Sequence, residues 1–309
     1  MGEEGGGTVA DRTGPTGPPR PSLPDWPSPM GRARRSDTSV ASDQNDAMTN
    51  TEVWDRIAAR IAAQAGPAGD VVGYGDGLPT ERDLRLLGTI AGKRVLELGC
   101  GTGHNAVALV RQGAKAIAIE PSEQLAAHAR RLAETHGVRI EVRVGDLADL
   151  AFLRAESVDL ALSTSLVAGA VATGTSASGA FASPLGEADD LDRVLRQVHR
   201  VLKPNAAFVC TVPHPFALCL ERESAGGAGP LPLGRQELIR SYLDEGPVAV
   251  AILDEQLTVQ LRPVSTMFAA FARAGFVVDQ LLELEPAISP DPGPRVPDTL
   301  LWRVRRLGL

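Results

Sequence analysis

The chain has 309 residues, 43% of them hydrophobic, with a formal net charge of −7. That apolar content can bury a full core, and the acidic balance without a long Lys/Arg face excludes a general nucleic-acid binder. Cys100, Cys210 and Cys219 have neither CxxC nor metal-ligand spacing, so neither a disulfide framework nor a metal centre is expected.

Residues 1–47 are rich in Gly, Pro, Ser and isolated charges, with hardly any apolar period. A disordered tail is predicted there, ahead of one domain over 48–309. Arg32, Arg34 and Arg35 form a small basic cluster, but Asp37 and Asp43 follow closely, as in a solvated tail. The first residues lack the apolar core of a signal peptide, and no run reaches the roughly 18 residues needed to span a bilayer. The expectation is a cytoplasmic protein without membrane contact.

Helical patterns cover 52–65 and 80–90, the second opened by Thr80 and Asp83 in capping spacing. The apolar run RVLEL, residues 94–98, reads as a buried strand, and a helix is expected over 104–112. Next come a strand at 115–120 and a helix opened by Pro121 and Ser122 that runs to about 136. Strands at 140–144 and 158–163 follow, and an amphipathic helix over 191–202 precedes a strand at 207–212. This βα alternation predicts a parallel sheet with helices on both faces. Near the C-terminus, a helix at 264–274 leads to a strand at 277–284, and the Pro-rich link 286–297 lets a last strand, 299–305, return antiparallel.

The stretch RVLELGCGTG joins the first of these strands to a helix through Gly99, Gly101 and Gly103. So little side chain lets a ligand approach the backbone, and the free N–H groups of the following helix face it. The turn alone does not separate a dinucleotide from S-adenosylmethionine, because the frame Gly101, Gly103, Ala106 satisfies GxGxxG/A. Three acids at three successive strand ends are more specific. Glu97 would repel a pyrophosphate but suits the sulfonium and ammonium of S-adenosylmethionine. Glu120 stands about 20 residues after the first glycine, where an acid binds ribose hydroxyls. Asp146 can accept from an adenine amino group while Leu147 covers the ring.

With these residues in place, the chain resembles the class I S-adenosylmethionine-dependent methyltransferases, specifically the type 11 small-molecule group. The resemblance covers roughly residues 54–306. It rests on YGDGLPTERDLRLLG, RVLELGCGTGHNAVAL, AIAIEPSEQLAAHARRLAE, VGDLADLAF, SVDLALS, LDRVLRQVHRVLKP and TLLWRVRR. It implies a Rossmann-like, doubly wound seven-stranded α/β sheet, mostly parallel with an antiparallel C-terminal strand, and S-adenosyl-L-methionine as cofactor. It also implies that Glu97, Gly99 and Gly101 line the methionine half, that Glu120 takes the ribose, and that Asp146 with Leu147 takes the adenine. Cys100, Pro121, Ser163 and Tyr74 complete the expected cofactor-lining set. Two departures stand out: KPN at 203–205 replaces the usual KPGG turn, and a Gly/Ala/Ser-rich insertion at 168–186, expected to be flexible, falls beside the site.

Methyl transfer needs alignment above all, and a base is optional. His214, just after the strand at 207–212, is the best-placed base, against the plainer reading of a turn histidine fixed between Pro213 and Pro215. His104 is expected beside the cofactor or solvent, and His128, His136 and His199 on helix faces. Trp54 reads first as core and second as a substrate clamp, while Tyr74 beside Gly73 and Gly75 reads equally as core or lid. Asp76 suits a turn, Asp159 a structural role, and Ser165 the methionine side with Ser163. The loops at 168–186, which includes Phe181, and 217–234 would cover the acceptor. Their few charges favour a small, partly apolar organic molecule methylated on O or N. The alternatives are non-methylating chemistry on the same cofactor, an NAD-dependent oxidoreductase, and a non-catalytic binding protein.

Overall fold

The computed structural model describes residues 48–164, 183–220, 238–284 and 296–308. The expected tail over 1–47, most of the insertion (168–182), Ser165, Phe181 and nearly all of the second loop lie outside them. The described elements are helices α1 (Asn50–Gln64), α2 (Glu81–Leu84), α3 (His104–Arg111), α4 (Glu123–Thr135), α5 (Pro184–Glu187), α6 (Leu191–Val201) and α7 (Val264–Arg273). The strands are β1 (Arg94–Leu98), β2 (Lys115–Glu120), β3 (Glu141–Val144), β4 (Val158–Ser163), β5 (Leu202–Pro213), β6 (Gly246–Ile252), β7 (Glu255–Leu261), β8 (Phe276–Leu284) and β9 (Thr299–Arg306).

Seven strands form one sheet in the order β3-β2-β1-β4-β5-β9-β8. The first five run parallel, and β9 is antiparallel to both β5 and β8. This is the expected doubly wound sheet. Its central strands read as continuous apolar runs because both faces are covered. Leu96, Leu98, Ile117 and Ile119 share one core with Leu195 of α6, Phe271 of α7 and Trp302 of β9. The alternate residues Val95, Ala116 and Ala118 pack against α3 and the loop before β1. Glu97 and Glu120 follow the second alternation, so their carboxylates leave the sheet on the α3 face.

Four boundaries differ from the sequence-based expectation. The helix over 80–90 ends at Leu84, because Arg85 turns left-handed (φ 53°) and the Glu81 carboxylate takes the N–H groups of Leu86 and Leu87. Strand β5 begins five residues early, at Leu202, with an irregular register where Val158 pairs Leu202 and Leu160 pairs Ala207. Asn205 (φ 64°) takes the left-handed position there that glycine fills in KPGG, and asparagine tolerates it better than most residues. The hairpin β6–β7 was not expected: its turn at Leu253 (φ 53°) and Asp254 lacks the usual Asn-Gly or Asp-Gly signal. Finally, the end of the expected flexible insertion is ordered helix α5, with Leu185 and Gly186 buried.

No helix among the described residues is long and apolar enough to cross a membrane.

Candidate cofactor and acceptor site

The carboxyl ends of β1, β2 and β3 open onto a cavity of about 750 Å³, closed on its other side by α1 and α5. Its floor is the turn after β1. Gly99 and Gly101 both take positive φ (68° and 53°), but for different neighbours. A Cβ on Gly99 would overlap the Pro184 ring, whereas one on Gly101 would meet nothing within 4 Å and would project into open space. The turn is held down by Gly99 N–H and Cys100 N–H, which both donate to Ile119 O.

Glu120 ends β2 with both carboxylate oxygens engaged: Gly101 N–H donates to Oε2 (2.8 Å) and Ser122 N–H to Oε1 (3.0 Å). A carboxylate has about four acceptor positions, so it still has capacity for a diol. Burial lifts its pKa to about 7 despite those two donors, and Asp55 adds to the rise. Asp146 folds into a local turn through Ala148 N–H to Oδ1 (2.8 Å), and Leu147 closes the wall beside it.

Glu97 lies one layer below, 1% exposed, and neither of its oxygens has a hydrogen-bond partner among the described residues. Desolvation, reinforced by the Glu120 charge, raises its pKa to about 8. An unpaired buried carboxylate is costly unless a cation or donor arrives. The lining repeats that bias, with Glu120, Asp146, Glu187, Asp189 and Asp190 against Arg193 among the described residues. The residues present therefore fit a ligand that carries an ammonium and a sulfonium.

Of the sequence-predicted set, Gly99, Gly101, Glu120, Pro121, Asp146 and Leu147 meet around this cavity, with Glu97 and Cys100 buried behind it. Ser163 is turned away: it is fully buried and its hydroxyl donates to Leu98 O (3.1 Å), so the next residue, Thr164, lines the cavity instead. Tyr74 is not a lid. It is fully buried in the α3-side core, its hydroxyl donates to Glu81 Oε2 (2.5 Å), and burial pushes its pKa up. His214 does not line the cavity among the described residues. Its Nδ1 accepts from Phe216 N–H (3.2 Å), which leaves the proton on Nε2 to face Glu283 Oε1 (3.0 Å). That is the turn-histidine arrangement.

The site also uses residues the sequence reading missed. Asn105 of α3 clamps the loop before β1, accepting from Gly73 N–H and donating to Gly73 O and Thr164 Oγ1. Asp55 of α1 accepts from Ser122 Oγ (2.5 Å) and Gln124 N–H, which docks α1 over the start of α4. Trp54 is a cavity wall and not simply core: its Nε1–H donates to Glu187 Oε2 (2.8 Å). The pairing Asn50–Glu187 has no local signal, since the two residues are 137 positions apart.

Residues 95–205 match a family model described as a methyltransferase domain. Over 105 residues the chain is 36% identical to a magnesium-protoporphyrin O-methyltransferase of Rhodobacter capsulatus, covering 31% of this chain and 47% of that one. It is 39% identical over 69 residues to a ubiquinone biosynthesis O-methyltransferase of Xanthomonas axonopodis pv. citri, covering 22% and 29%. The chain thus spans less than half the length of these curated relatives. An S-adenosylmethionine-dependent methyltransferase of known structure from Mesorhizobium loti superposes with a TM-score of 0.54 at 27% identity, over 72% of this chain and 95% of that one. By its sheet order, its acid-ended glycine turn and the methyltransferase domain matched over residues 95–205, the chain is similar to the class I S-adenosylmethionine-dependent methyltransferases.

Proposed function

We propose that this protein moves a methyl group from S-adenosylmethionine to an O or N atom of a small organic molecule. The observation that carries the reading is the buried, unpaired Glu97 behind a glycine turn that opens onto a cavity of about 750 Å³. That volume is of the class that holds small molecules. When bound, S-adenosylmethionine supplies a methyl group already activated by its sulfonium.

The residues have to bind, align and exclude water. In this reading the Gly99–Gly101 backbone admits the methionine portion and Glu97 answers its ammonium. Glu120 takes the ribose hydroxyls, and Asp146 with Leu147 takes the adenine. Alignment of nucleophile and methyl is the larger kinetic contribution, up to ~7 to 11 kcal/mol in well-oriented systems. The wall of α1 and α5 faces the same space and is the acceptor side. A cytoplasmic setting, without nucleic acid or membrane as partner, belongs to this reading; the three free, buried cysteines suit a reducing compartment.

Calorimetry with S-adenosylmethionine and NADH, followed by label transfer from methyl-labelled cofactor into small-molecule extracts, tests the proposal. S-adenosylmethionine should bind, NADH should not, and label should appear in an extractable product. Preference for NADH would reject the cofactor. Turnover of an acceptor without release of S-adenosylhomocysteine would assign the fold to non-methylating chemistry.

A further inference from the structure

Helix α5 is held at both ends. Ser183 Oγ donates to Thr211 O (2.7 Å) and accepts from Gly186 N–H (3.2 Å), and the Arg262 guanidinium donates to Leu185 O and Ala188 O. Its last residue, Glu187, is therefore fixed on the cavity wall. Glu187 Oε2 accepts from Trp54 Nε1–H (2.8 Å) and Asn50 Nδ2–H (3.0 Å). Asn50 is itself anchored to strand β7, donating to Thr258 O (2.7 Å) and accepting from Thr258 N–H (2.8 Å). Glu187 Oε1, by contrast, takes no hydrogen bond from a described residue, and no described cation pairs with this carboxylate.

A neutral acceptor atom would satisfy Trp54 and Asn50 equally well, so hydrogen bonding to them does not explain a carboxylate here. Burial and the nearby Glu120 charge raise its pKa to about 8, a cost that a cation in the cavity would relieve. The proposed cofactor contacts already use Glu97, Glu120 and Asp146 at the strand ends. Glu187 sits instead on the α1–α5 wall, next to an indole that can face a cation.

We infer that the methyl acceptor is an amine, and that Glu187 Oε1 binds its ammonium and receives its proton; the inference rests on the methyl-transfer reading above. The ammonium passes one proton to Glu187. The freed nitrogen lone pair forms the N–C bond while the C–S bond breaks and its electron pair returns to sulfur. The products are a methylated ammonium and a neutral thioether, and Glu187 releases its proton to solvent.

The test uses the full chain saturated with S-adenosylhomocysteine, titrated calorimetrically with phenethylamine and with 2-phenylethanol, which match in size and differ in charge. The amine should bind at least about tenfold more tightly than the alcohol, as a charge-assisted hydrogen bond implies. In Glu187→Gln that preference should fall to within about twofold while S-adenosylhomocysteine affinity stays within about twofold. Equal affinities in the parent, no amine binding at millimolar concentration, or an undiminished preference in Glu187→Gln would overturn the inference. So would an equal loss of S-adenosylhomocysteine affinity, which would make Glu187 a cofactor residue. If Glu187→Gln does not fold, the parent's own amine preference decides, with Glu187→Asp as the second variant, expected to reduce that preference. Failure of S-adenosylhomocysteine to bind the parent would instead remove the methyl-transfer reading, and this inference with it.

Discussion

Replacing Glu97 with Gln should move stability and cofactor affinity in opposite directions. The folded pKa of Glu97 is raised to about 8 from 4.5. Between those values the folded state keeps a proton that the unfolded chain has released. Stability therefore falls as pH rises through that window, and no such loss exists below about 4.5. At pH 7 the loss is about 3 kcal/mol, taking ~1.4 kcal/mol per pKa unit for this fully buried group. An amide and a protonated carboxyl bring similar unpaired polar atoms, so Glu97→Gln removes mainly this proton-linked cost. Ligand-free protein at pH 7 should gain up to about 3 kcal/mol, seen as a rise of several degrees in melting temperature for a domain of this size. Its stability should also fall less steeply from pH 5.5 to 8. Affinity for S-adenosylmethionine should drop at least about tenfold, because the charged partner proposed for the ligand ammonium is removed. Differential scanning fluorimetry across pH and calorimetry check both halves. A variant less stable than the parent at pH 7 with unchanged cofactor affinity would refute the reasoning, since Glu97 would then be an ionised, paired structural residue.

Glu120→Ala removes the acceptor for two backbone N–H groups and the ribose contact proposed for Glu120, and calorimetry should show at least about tenfold weaker cofactor binding in a folded protein. Gly99→Ala sets a Cβ against the Pro184 ring at positive φ; a loss of about 1 to 3 kcal/mol in chemical denaturation is expected, and an unchanged midpoint would mean that α5 yields freely. His214→Ala should lower stability by about 1 to 2 kcal/mol, while turnover of the folded fraction stays within about threefold; a loss near 10²-fold would restore it as a base. A chain beginning at Met48 should keep its melting temperature and cofactor affinity, because the composition of 1–47 offers little apolar area to bury.

The strand-end half of the cavity was legible because its parts are local. Strand, acid, glycine turn and helix follow one another over residues 94–111, and the next two acids end the next two strands, so topology alone brings them together. The α1–α5 wall was not. Trp54 meets Glu187 across 133 positions and Asn50 meets Thr258 across 208, and neither pairing leaves a periodic trace. Ser163 and Tyr74 failed for a different reason. Each stands near the right place, but side-chain direction decided: Ser163 faces the Leu98 carbonyl, one residue out of phase with the cavity, and Tyr74 points at Glu81. The overlong helix at 80–90 shows a capping pattern outweighed by a left-handed residue that no local rule predicts for arginine.

The bonds from Asn50 to Thr258 also bear on the order in which the molecule is made. Helix α1 leaves the ribosome before the rest of the described chain, yet its partners on the hairpin emerge some 200 residues later. Contacts so distant in sequence form late, after the entropy of closing the intervening chain has been overcome. The strand-and-turn unit from 94 to 147 can assemble while synthesis continues, because its contacts are short in range. A nascent chain would thus acquire the strand-end side of the cavity well before the α1–α5 wall that faces it, and α1 would spend that interval with Val53, Ile57 and Ile61 lacking their hairpin cover.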